Sequence, residues 1–281
     1  MKPDARGEFP KIIWMLWLQG WDVAPELVNK CALSWRRHHP DWQIVFLNEE
    51  NLKAHIDVDA VISRNRGTIS AQARSNIIRI NLLAKFGGVW VDATCFCCRP
   101  LDEWIEPHLA AGFFAFEKPG QDRLIASWFL AARKNSHLAN AYCAATIDYW
   151  MQNYFPFQKS RWARPVIKLL GKILNRNAHL AGLWTHPVTT KIFRVHPYHW
   201  FHYTFSRVLA TDPRSAELWR QSLKFPADIP HRLMIADLFK PATPAVKAAI
   251  DARQDPLYKL NWRCAGDLPS DSTLDYLWRS I

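Results

Sequence analysis

The sequence predicts an α/β domain with a largely helical C-terminal half. Three observations carry this. Short apolar runs alternate with helical periodicity over residues 9–135. A Gly-Gly pair joins the longest helical pattern directly to a hydrophobic strand. From about Ser136 the pattern is helical and broken by prolines, with no repeat, low-complexity tract or Gly/Ser linker to set it apart. A single domain over 1–281 follows, with an α/β core at about 9–135 and a helical part at about 136–281.

In chain order, residues 11–18 are nearly continuously apolar, as a buried strand would be. Pro25 then opens a helix with Leu27, Val28, Cys31 and Trp35 on its apolar face. Residues 42–47 read as a second strand, and Asn48 as the N-cap of a helix running through His55. Residues 68–86 give the clearest helix, with Ile69, Ala73, Ile77, Ile80 and Ala84 at three- and four-residue spacing. Gly87-Gly88 ends it, and 89–92 follows as a buried strand. Residues 112–117 and 125–131 look like further strands.

Composition narrows the function classes. At 49% hydrophobic and 22% charged, the chain is globular rather than disordered. Its 281 residues need no disulfide or metal staple. No apolar run approaches about 18 residues, so no transmembrane helix is expected. Lys2 and Arg6 precede the apolar run, but Asp4, Glu8 and Pro10 interrupt the lead-in and no small-residue cleavage site follows. A cytoplasmic protein with reduced cysteines is therefore expected. Cys95 and Cys97 would face one side of a strand and Cys98 the other; without a second pair they read as small buried hydrophobes, not a zinc site. The 15 Trp suit core packing or stacking on bases and sugars. The formal charge of +11 suggests nucleic acid, an anionic membrane surface or phosphorylated small molecules as partners. No zinc-finger spacing, aromatic–glycine RNA-binding signature or basic zipper is present, so nucleic acid is not the expected partner.

The chemistry-bearing stretch is residues 73–100, ARSNIIRINLLAKFGGVWVDATCFCCRP. A helix presents Ser75, Asn76 and Arg79 among apolar neighbours, and Asp92 sits where the next strand ends. Ligands of α/β sheets gather at the carboxyl ends of strands. A carboxylate there, followed by Thr94, is a natural place for a hard divalent cation bridging phosphate oxygens. Taken alone, Asp92 is equally a helix N-cap or a surface charge, Arg79 a structural ion-pair partner and Trp17 a core residue.

Taken together, these residues resemble the sugar-binding region of glycosyltransferase family 32, and more closely the bacterial capsular polysaccharide synthesis protein family. Ser75-Asn76-Ile77-Ile78-Arg79 stands for the family's Ser-Asp-(apolar)2-Arg. Gly87-Gly88-Val89-Trp90-Val91-Asp92-Ala93-Thr94 stands for its Gly-Gly-(apolar)3-Asp-x-Asp or Asp-Ala-Thr. Pro10–Trp17 is similar to its first strand, and residues 112–116 and 127–131 to later pieces. The resemblance implies a GT-A fold, a Rossmann-like core binding a nucleotide sugar and usually Mn²⁺ or Mg²⁺. It implies that Trp17 stacks on the base, that Asn76 and Arg79 contact sugar or ribose hydroxyls, and that Asp92 holds the metal. Thr94 stands at the second acidic position. Asn76 and Thr94 each lack the family's negative charge, which weakens hydroxyl and metal binding there. Lys259-Leu260-Asn261-Trp262 is similar to a C-terminal segment that closes over the donor phosphates of related transferases.

The implied activity is transfer of a sugar, with retention, from a nucleotide-diphosphate donor to a surface polysaccharide or a lipid-linked glycan. The alternatives are a non-catalytic carbohydrate-binding protein and a basic nucleic-acid-binding protein. His199 and His202 would share a helix face beside His196, in a packed half-polar site or with a metal or acceptor role. Over residues 161–176, Arg161, Arg164, Lys168, Lys172 and Arg176 fall on one helical stripe, and Val166, Leu169, Leu170, Ile173 and Leu174 on the opposite side. This is either a surface helix with its apolar face on the core or an interfacial helix on anionic lipid at the inner face of the cell membrane.

Overall fold

Three short parallel strands set the architecture. In the computed structural model, residues 7–158, 160–235, 237–261 and 269–280 are described. The strand Ile12–Leu16 (β1) turns Ile13 and Met15 to one face and Trp14 and Leu16 to the other, all buried. The helix Glu26–His38 (α1) leads to Gln43–Leu47 (β2), which pairs parallel to β1. The helix Ala71–Phe86 (α2) leads to Gly88–Asp92 (β3), parallel to β1 on its other side.

Two antiparallel strands complete the sheet. They are Phe113–Gly120 (β5) and Arg123–Ala132 (β6), after the short Cys95–Cys97 (β4). The order is β2-β1-β3-β6-β5, with β6 antiparallel to both neighbours. The sheet is thus mixed, with three parallel strands and a hairpin. The second half supplies the helices His137–Gln152 (α3), Ala163–Leu174 (α4), Trp200–Thr211 (α5) and Pro213–Gln221 (α6). On one face of the sheet, Trp14, Trp90 and Leu130 pack with Ile77 and Leu83 of α2, Tyr142 of α3 and Phe205 of α5. On the other, Met15, Val91 and Phe129 pack with Trp35 of α1.

Local chemistry explains most boundaries. Ser70 caps α2, its hydroxyl accepting from the Ala73 N–H at 3.1 Å, so the helix begins at Ala71 rather than Thr68. Gly87 closes it at φ 72°, its N–H donating to the Leu83 carbonyl. Gly88 has φ 85°, and a Cβ there would sit 2.5 Å from the Ile12 carbonyl oxygen, so the close approach of β3 to β1 requires glycine. The helix expected from Asn48 to His55 is reduced to a single 3-10 turn, Leu52–Ala54. Asn48 accepts from the N–H groups of Glu50 and Asn51, and Asn51 accepts from the Asn48 N–H, the reciprocal pattern of a helix N-terminus, but the turn that follows stops at Ala54.

The five described cysteines are free and buried, Cys95 and Cys97 in one cluster and Cys98 in another; Cys264 lies outside the described residues. No helix among the described residues is long and apolar enough to cross a membrane.

Candidate active site

The site begins at the carboxyl ends of β1 and β3, where Leu16 and Asp92 stand side by side. Asp92 shares a strand face with Trp90, two residues earlier, and the Trp90 indole N–H donates to Asp92 Oδ1 at 3.0 Å. Arg79 approaches from α2 and its Nη1 lies 3.2 Å from the same oxygen. Arg79 is 5% exposed. Its guanidinium sits 4.9 Å from the Trp90 ring centre. It also donates to the Ser75 carbonyl and hydroxyl, one helical turn earlier, and to the Ser127 carbonyl of β6. Each of its three nitrogens is thereby engaged by the protein, and it holds Asp92 rather than presenting itself to solvent. Asp92 Oδ2 has no partner among the described residues, and the side chain is 29% exposed.

The second half of the site arrives from far along the chain. Leu257–Lys259 (β7) pairs antiparallel with β4, and the Leu260 N–H donates to the Thr94 carbonyl at 2.8 Å. That pairing lays the Lys259 ammonium on the Thr94 hydroxyl at 2.7 Å. Asn261 follows directly at the edge of this pair, half-buried; Trp262 lies outside the described residues. Trp17 leaves β1 next to Asp92, half-buried, its N–H on the Leu47 carbonyl at 3.0 Å. Asn76 is buried on α2 one turn before Arg79, and its amide makes no hydrogen bond to a described residue.

The structure thus joins Ser75, Arg79 and Asp92 in one network, which Trp90 and Ser127 complete, and, two residues beyond Asp92, pairs Thr94 with Lys259. Trp90 was detectable as the strand neighbour two residues from Asp92; Ser127 carried no sequence signal, because it contributes only its carbonyl.

His199 and His202 meet at the start of α5, ring centres 5.2 Å apart. Burial, followed by the charge of Arg123, pushes His199 down to about 4. Burial likewise holds His202 well below the usual range, aided by His199, Arg123 and Arg79. Both rings are therefore neutral at physiological pH, and each buries an Nδ1 with no hydrogen-bond partner among the described residues. Next to them Tyr203 donates to Asp122, which also takes the Arg123 Nε at 3.2 Å. A cavity of about 330 Å³ opens at this hairpin tip, between Lys118, Gln121, Arg123 and Ala178; Asp92 is not part of its lining.

Among the described residues no three His, Cys, Asp or Glu side chains converge as a metal cage. The donors that remain are Asp92 Oδ2 and the oxygens a phosphorylated ligand would bring, a sparse set that Mg²⁺ or Mn²⁺ accepts. Thr94 is already engaged by Lys259. Thr94→Asp alone is therefore expected to pair with Lys259 and leave Mn²⁺ affinity within about twofold, whereas Thr94→Asp with Lys259→Met tightens it about tenfold in calorimetry. No gain in the double variant would place Thr94 outside the metal's reach.

Comparison with known proteins adds a family and weaker likenesses. Residues 2–158 match the family described as capsular polysaccharide synthesis protein. The O-glycosyltransferase braB of Annulohypoxylon truncatum is 26% identical over 144 residues, 44% of this chain and 34% of the relative. The O-glycosyltransferase PaGT of Phomopsis amygdali is 25% identical over 158 residues, 50% of this chain and 39% of the relative. The matches thus span only between a third and two fifths of these curated relatives. The solved PaToxG glycosyltransferase superposes with a TM-score of 0.39 at 16% identity, covering 76% of this chain and 86% of that one.

Proposed function

Because this chain belongs to the capsular polysaccharide synthesis protein family, we propose that it is a glycosyltransferase. It moves a sugar from a nucleotide-diphosphate donor to a hydroxyl of a surface polysaccharide or lipid-linked glycan. One observation carries the assignment of the site: a carboxylate at a strand end, clamped on one oxygen by Arg79 and Trp90, with the Lys259 ammonium on Thr94 two residues on.

In the reaction, a bond forms between an acceptor oxygen and the anomeric carbon. The bond from that carbon to the diphosphate breaks with its electron pair leaving on the diphosphate oxygen, and the acceptor's hydroxyl proton passes to that departing oxygen or to solvent. The barrier is lowered by whatever stabilises charge on the departing diphosphate. Lys259 supplies a positive charge at the site's edge. Arg79 fixes the Asp92 carboxylate so that Oδ2 points one way, free to accept from a donor hydroxyl. A divalent metal held by Asp92 Oδ2 would add charge neutralisation on the diphosphate. Trp17, beside Asp92, would stack on the base, and Asn76 would bond a diol through its amide.

A thermal-shift screen tests this reading. At least one nucleoside-diphosphate sugar is expected to stabilise the protein, by about 2.7 kcal/mol at about a hundred times its dissociation constant. Stabilisation by free glycans but by no nucleotide sugar would favour the non-catalytic carbohydrate-binding alternative.

A further inference from the structure

The charge of this protein is not evenly spread. Residues 149–211 contain nine Lys and Arg and no Asp or Glu, so this stretch holds nine of the chain's +11. The same stretch carries most of the exposed large apolar side chains among the described residues, including Trp162 at 69%, Leu169 at 64% and Ile173 at 53%. We propose that α4 and its N-terminal flank form a docking surface for an anionic lipid bilayer.

The helix divides into three faces. Val166, Ile167, Leu170 and Leu174 pack on a small cluster around Trp184 and Tyr203. This anchors the helix and answers the question the sequence left open: only part of the apolar face belongs to the core. Read at 3.6 residues per turn, Trp162, Leu169 and Ile173 lie within about 40° of one another, turned away from that cluster. Arg161, Arg164, Lys168 and Lys172, all exposed, form the adjoining stripe. The Arg161 guanidinium lies 5.2 Å from the Trp162 ring centre. An exposed apolar ridge bordered by cations matches the layering of an anionic membrane: apolar side chains enter the acyl boundary while lysines and arginines stay among the headgroup phosphates. A polyanion such as nucleic acid would use the cations but leave Leu169 and Ile173 without a partner, which is why the geometry favours lipid.

The surface is tied to the candidate site through the hairpin. Gln121 at the β5–β6 turn donates to the Asn175 carbonyl, at the end of α4, at 3.4 Å. Docking would hold this hairpin, and the Asp92 site below it, near a lipid-linked acceptor. That consequence rests on the transferase reading; the docking itself does not.

The test is co-sedimentation of the full chain with vesicles of equimolar phosphatidylglycerol and phosphatidylcholine, and with pure phosphatidylcholine vesicles. The protein is expected to sediment with the anionic vesicles at low salt, to be released at high salt, and to ignore the neutral ones. Lys168→Glu with Lys172→Glu, and separately Leu169→Ser with Ile173→Ser, each weaken partitioning at least tenfold. Both leave the melting temperature and the nucleotide-sugar thermal shift unchanged, which separates loss of docking from loss of the active site. No binding at low salt, equal binding to neutral vesicles, or full binding by either double variant overturns the proposal. So does binding of a DNA fragment that matches vesicle binding and survives Leu169→Ser with Ile173→Ser.

Discussion

Asp92→Asn is expected to lower kcat/KM for sugar transfer by on the order of a thousandfold, the scale of losing a preorganised electrostatic group. Asparagine keeps an oxygen for the Arg79 guanidinium and the Trp90 indole, so the clamp survives in outline. What is lost is the negative charge, and with it the second carboxylate oxygen, which has no partner among the described residues. The stability cost should be small, about 1 kcal/mol for exchanging a charged acceptor for a neutral one. The measurement is turnover of a nucleotide sugar alongside a melting curve. Wild-type turnover in a folded Asn variant would remove Asp92 from the chemistry.

Arg79→Leu is expected to act the other way round, on the fold first. The guanidinium joins α2, β3 and β6 through Ser75, Asp92 and the Ser127 carbonyl. Leucine leaves all three without their partner, and breaking a largely buried ion pair from one side costs about 3–5 kcal/mol. For a chain of this length that is a fall in melting temperature of roughly 10 °C. Arg79→Lys separates charge from geometry: an ammonium cannot donate in the directions the planar fork covers. This variant should stay folded, melt a few degrees lower and lose most transfer activity, because Asp92 is no longer held at a fixed angle. If Arg79→Leu melts like the wild type, the network does not hold these elements together.

The sequence by itself determined the local pieces. The nearly continuous apolar runs at Ile12–Leu16 and before Asp92 specified strands. The three- and four-residue spacing of Ala73, Ile77 and Ile80 specified the helix that carries Ser75, Asn76 and Arg79 on neighbouring faces. Gly87-Gly88 specified the turn that drops Asp92 at a strand end. Each of these depends on contacts within a few residues, so propensity and periodicity reveal them. The stretch after Asn48 shows the limit even there: the capping pattern is present, but the helix it announces stops after the single turn Leu52–Ala54.

Only the tertiary structure decided the rest. It turned the last two sheet strands into an antiparallel hairpin. It laid Lys259 on Thr94 across a separation of 165 residues, through two three-residue strands too short to leave a pattern. It also divided the apolar face of Ala163–Leu174, packing the half-buried Leu170 and Leu174 against the Trp184 cluster and leaving Leu169 and Ile173 exposed. The physical reason is common to all three. Which surfaces meet is settled by the burial and pairing energy of the whole assembly, and that energy is a property of partners distant in sequence rather than of any single segment.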